Sequence, residues 1–119
     1  MFHAVTTIAL ACVALGWLLR HRLGHHVACM GAACLMDYGT LIALELSRGP
    51  AIAKALSAPP PLLSFHVAVS VAALLCYPAL IVLGIGSVTK KPHWLSVHRR
   101  TGRAFLLVRL ANYVTSWMI

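Results

Sequence analysis

Two apolar stretches of the sequence each contain two polar side chains at the same spacing of eleven residues. His26 and Asp37 stand in one stretch, and His98 and Arg109 stand in the other. Eleven residues make about three helical turns, or about 16 Å of rise, so each pair is predicted to share one helix face. If the two helices run in the same direction, His26 lies level with His98. Asp37 then lies level with Arg109.

The pair His26 and His98 and the pair Asp37 and Arg109 are suited to different chemistry. Two neutral imidazoles that face each other across a helical bundle are good axial ligands for the iron of a b-type haem, and copper is the alternative metal. His26 and His98 are therefore candidate cofactor ligands, and His66 is a third. The histidines could instead mark helix ends at a water interface. Asp37 and Arg109 are predicted to form a structural ion pair, because a lone charge inside an apolar bundle is costly.

Three arginines follow His98 closely in the sequence. Arg99, Arg100 and Arg103 would stand near the same end of the helix as the imidazole. Guanidinium groups bind carboxylates well, so these side chains are expected to suit haem propionates. This supports a haem at the level of His26 and His98.

The composition is that of an integral membrane protein. Of the 119 residues, 61% are hydrophobic and 10% are charged, which is too apolar for a soluble domain of this size. Ten Lys and Arg against two acidic residues give a formal charge of +8. These bases cluster in short loops between apolar runs, a pattern that indicates membrane topology and not nucleic-acid binding. No hydrolase or nucleotide motif is present, so no catalytic residue is assigned.

Four transmembrane helices are predicted, at about 2–19, 26–46, 62–85 and 98–119. Together they form one all-α domain, an integral membrane four-helix bundle over residues 1–119. The first and third loops hold most of the positive charge. The positive-inside bias therefore places these two loops in the cytoplasm and both termini outside.

Three short motifs mark the helix starts and the last helix. His26 followed by Met30 opens the second helix, and SFH at 64–66 opens the third. HRR at 98–100 precedes the fourth helix, which contains YVTS at 113–116. At these places, over about residues 20–119, the chain resembles a family of small four-helix bacterial membrane proteins. That family includes the CtaM-like assembly factors of caa-type cytochrome oxidases. The resemblance implies a non-catalytic factor or accessory subunit connected with haem-copper respiratory enzymes.

Sequence and resemblance together predict a multi-pass protein of the bacterial inner membrane that binds haem or a metal, or assists its installation. The expected partners are the lipid bilayer and the subunits of a larger membrane redox complex. The alternative is a purely structural accessory subunit of a larger membrane enzyme, which the small size and many small residues favour. A proton-conducting element that uses Asp37, Arg109 and His66 is a third hypothesis and is ranked last.

Overall fold

Four helices and no strand make up the part of the chain that the structure describes. The computed structural model describes residues 1–49, 53, 57, 60–89 and 92–119. Helix α1 spans Phe2–Leu18, and α2 spans Leu23–Arg48. Helix α3 spans Pro61–Thr89, and α4 spans Pro92–Met118. The fold is therefore all-α, as the sequence predicts.

Three of the four helices are longer than the hydrophobic pattern alone predicts, and α1 ends at Leu18, close to its predicted end near 19. Helix α3 continues to Thr89 instead of ending near 85, and α4 begins at Pro92 instead of near 98. A proline is well suited to the first helical position, because its fixed φ matches the helix and its missing N–H would have no partner there. Pro61 and Pro92 both take this position. The first two turns of α4 therefore come from a segment that the sequence analysis assigned to a loop.

The four helices are arranged as two hairpins. Helix α1 packs along α2, and α3 packs along α4, whereas contacts between the hairpins are fewer and involve α1 with α4 and α2 with α3. Helices α2 and α4 thus stand on the diagonal of the bundle, where only side chains bridge them. This places residues from α2 and α4 opposite one another across the interface between the hairpins.

Two polar side chains are buried in the bundle, while many large apolar side chains are exposed on its outside. Arg109 and Thr115 are buried, with 1% and 6% of their surfaces exposed, whereas Leu35 and Leu46 are 76% and 84% exposed. Large exposed apolar surfaces mark contact with lipid or with another protein. The buried hydrophobic cluster itself is small and consists of Val13, Ala33, Ala73, Tyr77 and Phe105.

Two of the helices, α2 and α3, are long and apolar enough to cross a membrane by length and composition. Helix α1 is apolar but has only 17 residues. Helix α4 has the length to cross but contains four arginines, at positions 99, 100, 103 and 109. Of the four predicted transmembrane helices, two therefore meet the criteria of length and composition for crossing a membrane.

Gly86 of α3 and Trp94 of α4 are in close contact near the connection between these two helices. A Cβ atom at Gly86 would overlap the indole, lying 2.9 Å from both Cδ2 and Cζ3 of Trp94. Only glycine leaves room for the indole at this point of α3. By contrast, a Cβ atom at Gly31 in α2 would meet nothing within 4 Å.

We predict that Gly86→Ala destabilises the protein by about 1–3 kcal/mol, because the added methyl group overpacks the contact with Trp94. The midpoint of thermal unfolding in detergent, followed by circular dichroism, measures the effect. Gly31→Ala is the matched control and should be neutral or slightly stabilising, since alanine favours a helix over glycine. Equal midpoints for the two variants would contradict the role of Gly86.

Candidate functional site

A buried ion pair lies at the centre of the bundle. Arg109 Nη2 donates a hydrogen bond to Asp37 Oδ1 over 2.7 Å, and the two side chains are 1% and 11% exposed. The Tyr77 hydroxyl donates to the other carboxylate oxygen, Oδ2, also over 2.7 Å. Arg109 Nη2 also points to the carbonyl of Thr6, at 3.5 Å. Each of the four helices therefore contributes one group to this cluster.

The Asp37 carboxylate is satisfied more fully than the Arg109 guanidinium. The Asp37 carboxylate accepts hydrogen bonds on both oxygens, which offsets much of the cost of removing it from water. Tyr77 is held in place by aromatic neighbours, with its ring centroid 4.9 Å from that of Phe105 and 6.2 Å from that of Tyr38. The Arg109 Nε atom is buried and makes no hydrogen bond within the described residues. The cluster thus acts as a rigid polar joint between the hairpins.

The two candidate ligands from α2 and α4 also meet across the diagonal. The ring centroids of His26 and His98 are 6.2 Å apart, and their planes cross at 79°. Since His26 lies near His98 and Asp37 pairs with Arg109, α2 and α4 run in the same direction. The equal spacing in the sequence therefore places the histidine pair and the ion pair at two levels of the bundle, about 16 Å apart.

A backbone carbonyl orients the imidazole of His26. Its Nδ1 atom lies 2.8 Å from the carbonyl oxygen of Gly16, in the last turn of α1. A carbonyl can only accept, so Nδ1 donates this hydrogen bond and Nε2 is the ring nitrogen that could bind another group. Histidines that bind metals or haem iron are commonly held in this way.

The imidazole of His98 rests against the backbone of α3. Its Cε1 atom lies 3.3 Å from the position that a Cβ atom at Gly84 would take, so the missing side chain at Gly84 makes room for the ring. The ring also interacts with the backbone of Leu80. Its Nδ1 atom is buried and has no hydrogen bond of good geometry within the described residues. Each imidazole is thus packed against the first helix of its own hairpin.

His26 and His98 are the residues that would hold a haem iron or a metal ion at this level of the bundle. Their ring centroids are 6.2 Å apart, and a neutral imidazole nitrogen is a good ligand for both.

His66 does not belong to this pair. Its Nδ1 atom lies 2.8 Å from Thr115 Oγ1, and Ser70 Oγ lies 3.5 Å from its Nε2 atom. Ser70 also donates to Asn112 Oδ1 over 2.7 Å. Thr115 stands seventeen residues beyond His98 on α4, which is about 25 Å along the helix. His66 therefore helps to join α3 to α4 near the opposite end of the bundle, away from the other two histidines.

The arginines expected to bind propionates lie on another side of α4. Successive helical residues turn by about 100°, so Arg99, Arg100 and Arg103 are each displaced by about 100° or more from His98 around the axis. All three are exposed. They line a shallow depression on the outer surface of α4 and do not face the His26–His98 pair. The structure thus gives no support to their expected role as propionate ligands.

The sequence analysis did not identify Tyr77 as part of the site. The only signal was a hydroxyl-bearing residue midway along an apolar helix, and such residues are common. Its partner became evident only once the rotation of α3 against α2 was known.

Comparison of the chain with protein-family models, with curated proteins and with solved structures finds no match. The fold and site define a protein of two helical hairpins joined by a buried ion pair, with two imidazoles facing one another at one end. The resemblance to the CtaM-like family stays a prediction.

We predict that Asp37→Asn and Arg109→Gln each destabilise the bundle by about 3–5 kcal/mol, because either change leaves one buried charge without its partner. The double variant should lose less than the sum of the two single losses. Chemical unfolding in detergent, followed by tryptophan fluorescence, measures these values. Arg22→Gln, a change at an exposed arginine, serves as the control and should have little effect. Additive losses in the double variant would contradict the pairing.

Proposed function

We propose that this chain is a four-span protein of the bacterial inner membrane that holds a b-type haem between His26 and His98 within a larger redox complex. The observation that carries the proposal is the pair of facing imidazoles, whose centroids are 6.2 Å apart. Such a site would serve in electron transfer or in cofactor installation. It would not require catalysis by the chain's own residues.

Burial and charge support the membrane location. Arg109 is almost fully buried, while large apolar side chains cover the outside. Helices α2 and α3, with 26 and 29 residues, are about 39 and 43 Å long and exceed an apolar membrane core of about 30 Å. Helices α1 and α4 pack beside them and would share their depth.

The positions of the basic residues support the orientation. Arg20 and Arg22 lie at the connection between α1 and α2, close to His26. Arg99 and Arg103 follow His98, so they lie at the same end of the bundle. The positive-inside bias assigns this end to the cytoplasm, which places both termini on the outer side.

The donor set favours haem over a bare copper ion. No group of three or more His, Cys, Asp or Glu side chains placed to share one metal ion occurs in the part of the chain that the structure describes. A copper ion between His26 and His98 would thus take only two ligands of these kinds from the protein. A haem would bring most of the ligands of its iron in the porphyrin, so the two imidazoles of His26 and His98 would be enough to hold it.

The interface between the hairpins is the natural place for a flat ligand. The hairpins contact each other less than the helices within each hairpin do, so a ligand there would displace fewer contacts than one inside a hairpin. Gly102 lies one turn beyond His98 on the same face, and a Cβ atom there would meet only Leu80 Cδ2, at 4.0 Å. A haem held by His26 and His98 would supply electron transfer.

A structural accessory subunit is the second candidate function, and the exposed face of α2 favours it. Leu35, Ile42 and Leu46 are 76%, 58% and 84% exposed. Gly31 and Gly39 lie on the same face with open space around them. Small residues between large apolar ones allow close packing of another membrane helix. This hypothesis requires no cofactor, so a spectrum of the protein separates it from the first.

We predict that the full-length protein, purified from cells supplied with a haem precursor, shows the absorption spectrum of a low-spin b-type haem in about equimolar amount. His26→Ala and His98→Ala should each abolish this spectrum, because each change removes one of the two side chains that would hold the haem. Circular dichroism should show that the helices of both variants remain intact.

His25→Ala and His66→Ala are the matched controls for the haem experiment. His25 is exposed beside His26, and His66 is engaged with Thr115 far from the site. Both variants should keep the haem spectrum. A wild-type protein that retains no haem, or a loss shared equally by all four variants, would contradict the proposal and favour the structural role.

We predict that cysteines introduced at Ser57 and Ser96 react from opposite sides of the membrane, because the proposed topology separates these positions by one span. The experiment requires a background without the four native cysteines, all of which are free thiols. A membrane-impermeant thiol reagent applied to intact cells should label position 57 and not position 96. Labelling of both positions from outside would refute this topology.

A further inference from the structure

The outer surface of α4 presents a compact basic depression. Arg99, Arg100 and Arg103 stand within little more than one turn of the helix, and all are exposed. The depression that they line opens away from the helical bundle. Its complete lining consists of Pro92, Leu95, Ser96, Arg99, Arg100 and Arg103.

The acidic residues of the chain lie away from this depression. The sequence has only two, Asp37 and Glu45. Asp37 is paired with Arg109 inside the bundle. Glu45 stands nineteen residues beyond His26 on α2, which puts it about 28 Å from the level of His98. Three neighbouring guanidinium groups repel one another, so this surface is suited to an anion from outside the chain.

The depth of the depression matches the boundary of a membrane. The part of α4 beyond Arg103, residues 104–118, is about 22 Å long, which is less than the apolar core of a bilayer at about 30 Å. This apolar part begins directly after Arg103, with Ala104 and Phe105. The arginines therefore stand at the edge of the apolar core, where their long side chains can reach the phosphates of the lipid headgroups on the side that the proposed topology assigns to the cytoplasm.

We propose that the depression lined by Arg99, Arg100 and Arg103 binds the phosphate of an anionic phospholipid headgroup. A guanidinium group binds two phosphate oxygens at once, and several together favour an anionic over a zwitterionic lipid. Bound lipid neutralises the mutual repulsion of the arginines and fixes the depth of α4. The lipid site lies on a different face of α4 from His98, so it does not depend on the proposed haem site.

The test measures lipid retention by the full-length protein. Native mass spectrometry of the protein in detergent, with added dioleoyl phosphatidylglycerol or dioleoyl phosphatidylcholine, compares the two headgroups directly. The wild type should retain phosphatidylglycerol in preference to phosphatidylcholine. The variant R99Q/R103Q should bind phosphatidylglycerol about thirtyfold more weakly, as expected for two arginines near a membrane surface.

A matched double variant separates a specific site from general charge. R20Q/R22Q removes the same charge from the same end of the protein, where Arg20 is already engaged with the Trp17 carbonyl at 3.1 Å. Its affinity for phosphatidylglycerol should change less than threefold. The charge-preserving variant R99K/R103K should retain more binding than R99Q/R103Q. Circular dichroism confirms that each variant is folded.

Three results would overturn the lipid proposal. Equal losses in R99Q/R103Q and R20Q/R22Q would show attraction by net charge alone. Equal retention of phosphatidylglycerol and phosphatidylcholine would show that the headgroup is not recognised. Full displacement of the lipid by millimolar inorganic phosphate would show that the depression binds free phosphate and not a lipid.

Discussion

The ion pair between Asp37 and Arg109 is the interaction on which the rest of this structure depends. It is buried, it joins the two diagonal helices, and Thr6 and Tyr77 link it to the other two. A charge at this depth cannot be left without a partner, so α2 cannot rotate or slide against α4 without a large cost in free energy. The pair therefore sets the register between hairpins whose apolar contacts alone are few.

The histidine pair follows from that register. Because His26 and His98 each stand eleven residues before one member of the ion pair, fixing the charged level also fixes the imidazole level. The backbone then orients each ring, through the Gly16 carbonyl for His26 and through the space at Gly84 for His98. Each ring is thus positioned by the first helix of its own hairpin, while the ion pair holds the two hairpins in register. The arginines of the proposed lipid site lie on another side of α4.

Helical periodicity explains both what the sequence could predict and what it could not. The fixed rise of a helix predicts which residues on α2 and α4 lie level, and the structure has Asp37 against Arg109 and His26 near His98. Contacts that depend on helix rotation were beyond prediction. Tyr77 contacts Asp37 because of the rotation of α3 about its own axis. His66 contacts Thr115 on α4 and does not lie beside the other histidines. The arginines after His98 are close to it in sequence, but their side chains point to other sides of α4, because each helical residue turns by about 100°.

Electron paramagnetic resonance of the haem-loaded protein tests the central claim, that His26 and His98 together hold one haem, most directly. Two imidazoles that keep the 79° between their planes should give a strongly anisotropic low-spin ferric signal. We expect this signal in the wild-type protein and its loss in the His98→Ala variant. A high-spin signal from a five-coordinate haem in the wild type, or no retained haem at all, would contradict it.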